Sequence, residues 1–375
     1  MVATSSFPAS DSDSRNAGVF VVDLARMLNE AGCDVTVISP QRTTVSGPFD
    51  TLSFPRLGSE PSLSHLNPRT PGGALKLASV LLGGIVQMPR QARLRRIDHI
   101  LALWAVPSGL LALVSKFVFC KHYSVWTLGS DIWRIRDYPG GRKLLRLVLR
   151  QADHVYADGM GLAEDTSAIS GSRTDFLATS RVLLPASRKL WADQFRHVVT
   201  IARFHEHKGV DVLIDAVASM PPELRSGIRV HIFGDGPMRG QLERSVNENS
   251  LGQIVHFEGF ADGQQAADAL RSADLAVVPS RVESIPLILS DICNADAPMV
   301  VTDAGDMGTL VSKFGAGLVA VAGDSGSLRN QMVSALTSDL DVATKARSDL
   351  AEHLSLRRSV IRFLDDLSIG AARTE

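Results

Sequence analysis

The sequence predicts an α/β protein of two doubly wound, Rossmann-like parallel sheets. Three observations predict it. Short apolar runs of strand length alternate with helix-patterned segments along the whole chain. The alternation pauses once, around Arg181 to Gln194, and then restarts. The length of 375 residues accommodates two or three domains of ordinary size. The expected divisions are residues 1–185, residues 186–345, and an amphipathic helical tail over 346–375.

The elements follow in order. Residues 1 to 5 read as the stub of a strand, and "FPASDSDSRNAG" as a Ser/Asp-rich loop. "VFVVDLARMLNEAG" carries a helix pattern stopped by Gly32, and "CDVTVISP" is a strand stopped by Pro40. Residues 41 to 72 read as irregular, with Pro and Gly throughout. A second round has "HILALWA" as strand, "SGLLALVSKFVF" as helix and "YSVWTLG" as strand. A helix from Pro139 to Arg150 precedes the strand "DHVYAD". Beyond the crossing the rhythm resumes with "HVVTIARF", "GVDVLIDAVASM", "IRVHIFGDG" and "MRGQLERSVNENSL". It continues through "IVHFEGF", "GQQAADALRSA", "DLAVVPS", "APMVVTDAG" and "AGLVAV", to a helix near 325–338. Two sheets of this kind are expected to face each other across a cleft, because ligands sit at the carboxyl ends of parallel strands.

Composition narrows the function classes. A formal net charge of −1 gives no strong overall field for nucleic acid. Cys33, Cys120 and Cys293 are too far apart for a metal motif or a disulfide framework, so a reducing compartment is expected. No basic-then-apolar leader opens the chain, and no apolar window reads as long enough for a membrane span. Charge is nevertheless uneven. From Pro61 to Ser130 the sole acidic residue is Asp98, against Arg69, Lys76, Arg90, Arg93, Arg95, Arg96, Lys116 and Lys121. Such a stretch suits contact with an anionic membrane, and it equally suits a solvated helix face beside a core helix.

Three segments carry chemistry. In "ARFHEHKGVDVLIDA", Arg203 and Lys208 lie between a strand and a helix. A guanidinium fork and a mobile ammonium at a helix start suit a diphosphate, with backbone N–H groups adding to the field. The residues alone also read as two surface cations in a polar loop. His205 and His207 have no ligand cluster nearby and read as loop residues. In "FGDGP", Gly234 and Gly236 permit close backbone approach, but the spacing matches neither a dinucleotide fingerprint nor a Walker loop. In "SRVESIPLILSDIC", Glu283 and Asp291 stand eight residues apart. Ser284 is expected to cap the helix, with Pro286 in its first turn. That places Glu283 outside the helix, free to accept from sugar hydroxyls, with the N–H groups of Ser284, Ile285 and Leu287 toward phosphate. Asp291 lies deeper and could hold a ribose. The alternative is an acidic residue favoured by the helix dipole plus a helix-face aspartate.

These pieces together resemble the retaining glycosyltransferases of family 4, the glycogen-synthase-like group of the GT-B fold. The resemblance rests on "SFP…NAGVFVVDLARMLNEAGCDVTVISP", "LWAVPSGLLALV", "TLGSD", "ARFHEHKGVDVLIDA", "FGDGPMRGQLE", "VHFEGF", "ALRSADLAVVPSRVESIPLILSD" and "PMVVTDAGDM", in the family's order. It implies that Arg203 and Lys208 bind the donor diphosphate and that Glu283 contacts the transferred sugar. Asp291 would hold the ribose in place of the family's second glutamate. Gly18, Gly234, Ser284, Ile285, Pro286 and Leu287 would line the donor site. Trp104, Gly109 and Asp131 would lie on the acceptor side. The family's last helix returns to the first domain.

The implied reaction moves a sugar from a nucleotide-diphosphate donor, such as a UDP- or GDP-sugar, to a hydroxyl of a glycan or lipid-linked acceptor. The implied place is the cytoplasm, with peripheral contact at the inner membrane face, in bacterial envelope or exopolysaccharide synthesis. The protein's cations take the part of a metal, so no metal or other cofactor is expected.

The chain departs from the family pattern at several positions. Leu103 and Leu128 stand where histidines are frequent, and Asp296 where glycine is common. Asp306 follows Gly305 in place of a second glycine, and the usual Asn-Gly-Val-Asp is absent from "RVLLPASRKL". These departures keep open a second class, a weak or inactive nucleotide-sugar or glycan binder of the same fold. An epimerase of that fold is a third.

Overall fold

The computed structural model describes residues 1–10, 18–54, 56–58, 70–338 and 343–372, with 369–372 as backbone only. Most of the expected Ser/Asp loop, the first residues of the basic stretch including Arg69, and the segment 339–342 lie outside the described residues. The chain forms two compact units, Met1–Thr179 with Leu356–Glu375, and Ser180–Ser355.

In the first unit the strands are β1 (Val2–Ala3), β2 (Thr36–Ser39), β3 (Asp50–Ser53), β4 (His99–Leu103), β5 (His122–Thr127), β6 (His154–Ala157) and β7 (Asp175–Phe176). They pair in parallel in the order β3-β2-β1-β4-β5-β6-β7. The helices between them are α1 (Val19–Glu30), α2 (Pro71–Leu94), α3 (Leu110–Phe119), α4 (Ser130–Trp133), α5 (Gly141–Arg150) and α6 (Met160–Ser170). Side chains alternate across the sheet, so β4 serves two cores. Ile100 and Ala102 pack with residues of α2, α3 and α5, while Leu101 and Leu103 pack with residues of α1.

The second unit repeats the plan. Its strands are β8 (Arg196–Ile201), β9 (Ile228–Phe233), β10 (Val255–Gly259), β11 (Leu275–Val278), β12 (Met299–Thr302) and β13 (Leu318–Ala320). They run in parallel in the order β10-β9-β8-β11-β12-β13. Its helices are α7 (Val210–Ala218), α8 (Pro222–Ser226), α9 (Arg239–Glu248), α10 (Gly263–Ser272), α11 (Leu287–Ala295), α12 (Met307–Phe314), α13 (Ser325–Thr337) and α14 (Thr344–His353). The last helix, α15 (Leu356–Ala372), returns to the first unit and buries Leu356, Val360 and Phe363 in the α1 core.

Four expectations change. The tail expected as one helix over 346–375 divides near Ser355: α14 stays in the second unit, and only α15 returns. Arg347 explains the division. Its buried guanidinium donates to Asp296 Oδ1 at 2.6 Å and ties α14 to the end of α11. The irregular stretch 41–72 contains β3, an edge strand whose "DTLS" offers no apolar alternation to read. Helix α6 was not expected, because its sequence carries little amphipathic pattern. Finally, α2 runs 24 residues, past Pro89, and is long and apolar enough to cross a membrane by length and composition, although no window read so in the sequence. Its inner stripe of Val80, Gly84, Met88 and Ala92 is buried, with Gly84 against Leu111 of α3.

The second sheet has a polar cluster on one face. Trp191 stacks on His197 and His231, with ring centroids 4.7 and 4.1 Å away. His197 Nδ1 and His231 Nε2 lie 3.0 Å apart, and their outer nitrogens reach Asp193 at 2.9 Å and Glu258 at 2.7 Å. In the first unit His99 lies beneath Phe363 and meets Ser124 Oγ at 2.9 Å.

Burial lowers the pKa of His231 and pushes that of His99 down to about 3. The neutral ring is therefore the native form. The unfolded chain binds the proton first, so stability falls as pH drops below the ordinary imidazole value. For His99 the slope approaches ~1.4 kcal/mol per pH unit until its folded value is reached. Urea unfolding of the wild type and His99→Gln between about pH 7 and about pH 4 tests the sign. The wild type should lose stability faster on acidification; parallel curves would remove this cause.

Candidate nucleotide-sugar site

The order of the second sheet reverses its winding between β8 and β11. At such a switch point the loops leaving the two strands diverge, and ligands bind outside their carboxyl ends. Residues 202–209 leave β8 and residues 279–286 leave β11. The sequence-predicted Arg203, Lys208 and Glu283 all lie in these two loops.

The β8 loop is pressed against the turn after β9. Ala202 N–H donates to Phe233 O and Phe204 N–H to Asp235 O, both at 2.9 Å, and Met238 N–H donates back to Phe204 O at 3.1 Å. Contact this close requires glycine. A Cβ on Gly234, at φ +145°, would stand 1.8 Å from Ala202 O, and one on Gly236 would stand 2.6 Å from Phe204 O. Gly234 is thereby a packing residue of the loop. Phe204 is buried edge-on to Phe257, and the alternation leaves Arg203 exposed. Among the described residues Arg203 makes no ion pair.

A tight turn, Glu206–Lys208, ends at Gly209, whose φ of +65° precedes α7. A Cβ there would meet Pro279 O at 2.0 Å, so the two loops touch directly. His207 O accepts from Arg281 N–H at 2.8 Å and from Val282 N–H at 3.3 Å. The Arg281 side chain forks onto both carboxylate oxygens of Asp211 at 2.7 Å and also donates to Glu206 O at 2.8 Å. Lys208 Nζ donates to Glu283 Oε1, and Ser280 Oγ reaches the same oxygen at 3.3 Å. Lys208 and Glu283 keep 16% and 14% of their side chains exposed. Burial, then the Lys208 charge, lowers the pKa of His207, so this cationic patch favours its neutral ring. From β12, Thr302 Oγ1 donates to Ser280 O at 2.6 Å, and Gly305 closes the far side, where a Cβ would stand 2.1 Å from Glu283 O.

The helix after Glu283 begins later than expected. Helix α11 starts at Leu287 with Pro286 as its N-cap, and Ser284 supplies no side-chain cap. The residue before a proline is held out of the helical region, so Ile285 cannot begin the helix. Ile285 is buried, while Ser284, Pro286 and Leu287 are half-buried. Asp291 is fully buried, and its Oδ2 accepts from Arg181 Nε at 2.8 Å and Nη2 at 2.5 Å. A residue of the crossing segment thus occupies the carboxylate expected at a ribose.

In the first unit the winding reverses between β1 and β4. Gly18 lies against the loop after β1, where a Cβ would stand 2.0 Å from Ser6 O. Trp104, at φ +68°, directs its ring edge to Phe20 at 6.5 Å. Gly109 is buried against Val148. Asp131, expected toward an acceptor, is buried. It accepts from Ala105 N–H at 2.6 Å and Leu128 N–H at 3.0 Å, joining the ends of β4 and β5. Burial raises its pKa to about 6 against the opposing pull of these bonds. Among the described residues no group of three or more His, Cys, Asp or Glu side chains is placed to hold a metal.

Sequence reasoning missed Arg181, Arg281, Asp211 and Thr302. Their partners lie 110, 70 and 22 positions away in the chain, and no local pattern marks them.

Residues 187–353 match the family model of glycosyl transferases group 1. The chain is a GT-B-fold relative of that family. It is 26% identical to TuaC of Bacillus subtilis, named for teichuronic acid biosynthesis, over 79% of each chain. It is 29% identical to the lipopolysaccharide core biosynthesis glycosyltransferase LpsE of Rhizobium meliloti, over 46% of this chain and 49% of that one. Among solved structures, HepE of Anabaena in complex with UDP and glucose superposes with a TM-score of 0.72 at 17% identity, covering 98% of this chain and 99% of that one. The group 1 match falls within the unit that holds Arg203, Lys208 and Glu283.

The Arg181–Asp291 pair gives a stability prediction. Removing one partner of a largely buried pair takes the counter-charge from the other, at a cost of about 3 kcal/mol. Asp291→Ala should lose that much in urea unfolding, and adding Arg181→Leu should restore most of it. A loss below about 1 kcal/mol in the single variant would show that the pair holds little.

Proposed function

We propose that this GT-B protein is a retaining glycosyltransferase that moves a sugar from a nucleotide-diphosphate sugar to a hydroxyl of a glycan or lipid-linked acceptor. The observation that carries the reading is the gathering of Arg203, Lys208 and Glu283 in the two loops at the β8/β11 reversal. The leaving nucleotide diphosphate gains charge as the anomeric bond breaks. Arg203 and Lys208 stabilise that charge, with N–H groups at the start of α11 adding to the field. Glu283 holds hydroxyls of the transferred sugar, and its bond to Lys208 keeps both side chains in place until the donor arrives. Trp104, Gly109 and Asp131 belong to the acceptor side, where Asp131 acts by shaping the backbone after β4 and β5. The names of TuaC and LpsE support a role in envelope or exopolysaccharide synthesis.

A second reading, a weak or inactive nucleotide-sugar binder, draws on Arg181, which already engages the Asp291 carboxylate. Turnover separates the two. Incubation with UDP- and GDP-sugars and a glycan panel should show transfer or donor hydrolysis, and Arg203→Ala should lower it about 10²-fold. Wild-type-like turnover by Arg203→Ala would remove its role; donor binding with no turnover in the wild type would favour the binder.

The proposed place is the cytoplasmic side of the membrane, in peripheral contact. The outer stripe of α2 exposes Leu75, Leu82 and Val86, and its last turn leads into Arg93, Arg95 and Arg96. Apolar side chains beside cations suit an anionic lipid surface. Sedimentation with phosphatidylglycerol vesicles at low salt should carry the protein down, and Leu82→Glu with Val86→Glu should release it. Absence of binding at low salt would end this part.

A further inference from the structure

We infer that Arg281 is a positioning residue of the site, acting as a three-way clamp that sets the reach of Lys208 and Glu283. The role rests on the nucleotide-sugar reading; the clamp itself does not. Three observations carry it. The guanidinium forks onto Asp211 in the first turn of α7 and at the same time donates to Glu206 O in the turn that carries Lys208. The Arg281 main chain donates to His207 O in that same turn. Two positions further along, Glu283 takes the Lys208 ammonium. One residue thus binds the β8 loop, the start of α7 and the β11 loop, and it does so two residues from the carboxylate proposed to face the sugar.

The charge of Arg281 is spent on this task. Its side chain is 30% exposed and that of Asp211 26%, and each holds the other in its charged form. A bidentate fork fixes direction as well as distance, which a lysine cannot reproduce. Arg281 is therefore not a third phosphate ligand. It orients the main chain from which Lys208 projects, and Asp211 keeps it there.

This separates positioning from plain electrostatics. If Arg281 contributed only positive potential, Asp211→Asn would uncover that charge and tighten anion binding, and Arg281→Lys would be harmless. As a clamp, Arg281→Gln, Arg281→Lys and Asp211→Asn each weaken the site, and the Arg281→Gln/Asp211→Asn pair is no worse than either alone, because both break one unit.

Two measurements test it. Amide hydrogen exchange by mass spectrometry needs no nucleotide. Each single variant should speed exchange about tenfold in both segments, 204–209 and 280–285. Exchange at the wild-type rate, or faster only around the substituted residue, would overturn the clamp. Calorimetric titration with UDP, GDP and ADP is the second. Each single variant should weaken the nucleotide that the wild type binds by about tenfold, without adding in the double. Tighter binding by Asp211→Asn, or full rescue by Arg281→Lys, would overturn positioning. A wild type that binds none of the three defeats the nucleotide reading, while the exchange result still decides the clamp. Asp211→Asn, which preserves shape, carries the test should Arg281→Gln fail to fold.

Discussion

The contact between the loop after β8 and the loop after β11 is the constraint on which the rest of the site depends. These loops leave neighbouring strands at the reversal of the second sheet, where nothing in the sheet holds them together. They are joined by main-chain bonds from Arg281 and Val282 to His207, and by a glycine pressed against Pro279. Once joined, they bring an ammonium and a carboxylate from residues 75 positions apart into one hydrogen bond. Gly209 serves that closeness, while Gly234 holds the turn after β9 to the β8 loop and Gly305 holds the residues after β12 to the β11 loop. Each sits where a methyl group would collide with a neighbouring carbonyl.

The second unit also ties its elements together through charge pairs that are buried on one side or half-buried on both. Arg181 engages Asp291, Arg281 engages Asp211, and Arg347 engages Asp296. The last pair accounts for one departure from the family pattern. Asp296 ends α11 in the left-handed region at φ +55°, which aspartate tolerates better than most residues, and its carboxylate receives the anchor of α14. An aspartate in place of a common glycine has here become a point of attachment. Asp131 plays a comparable part in the first unit, where its carboxylate spans two strand ends.

Much of the architecture was legible in the chain. Runs such as "HILAL" and "HVVTI" are strands buried on both faces, and their apolar continuity survives without knowledge of their neighbours. What escaped was polar or marginal in pattern. Strand β3 sits at an edge and needs no apolar face, and α6 draws its place from the helices and strands around it. At the start of α11 a serine two residues before a proline reads as a cap, but the proline holds the residue before it outside the helix, which begins only at Leu287. For the site, motif spacing located the two loops but not what each side chain holds. Asp291 looked like an open ligand and proved to be bound to Arg181, and Arg281 gave no signal at all.

By itself the sequence determined the alternation of strands and helices, the existence of two doubly wound sheets, and the loops in which cations and carboxylates gather. Those properties arise from periodicity and from local backbone preferences, which act over a few residues. Tertiary structure alone decided which charges meet, because ion pairs across 70 or 110 positions depend on strand order rather than on neighbouring residues. It also decided where the tail divides, since the break between α14 and α15 follows from Arg347 finding Asp296 on another helix.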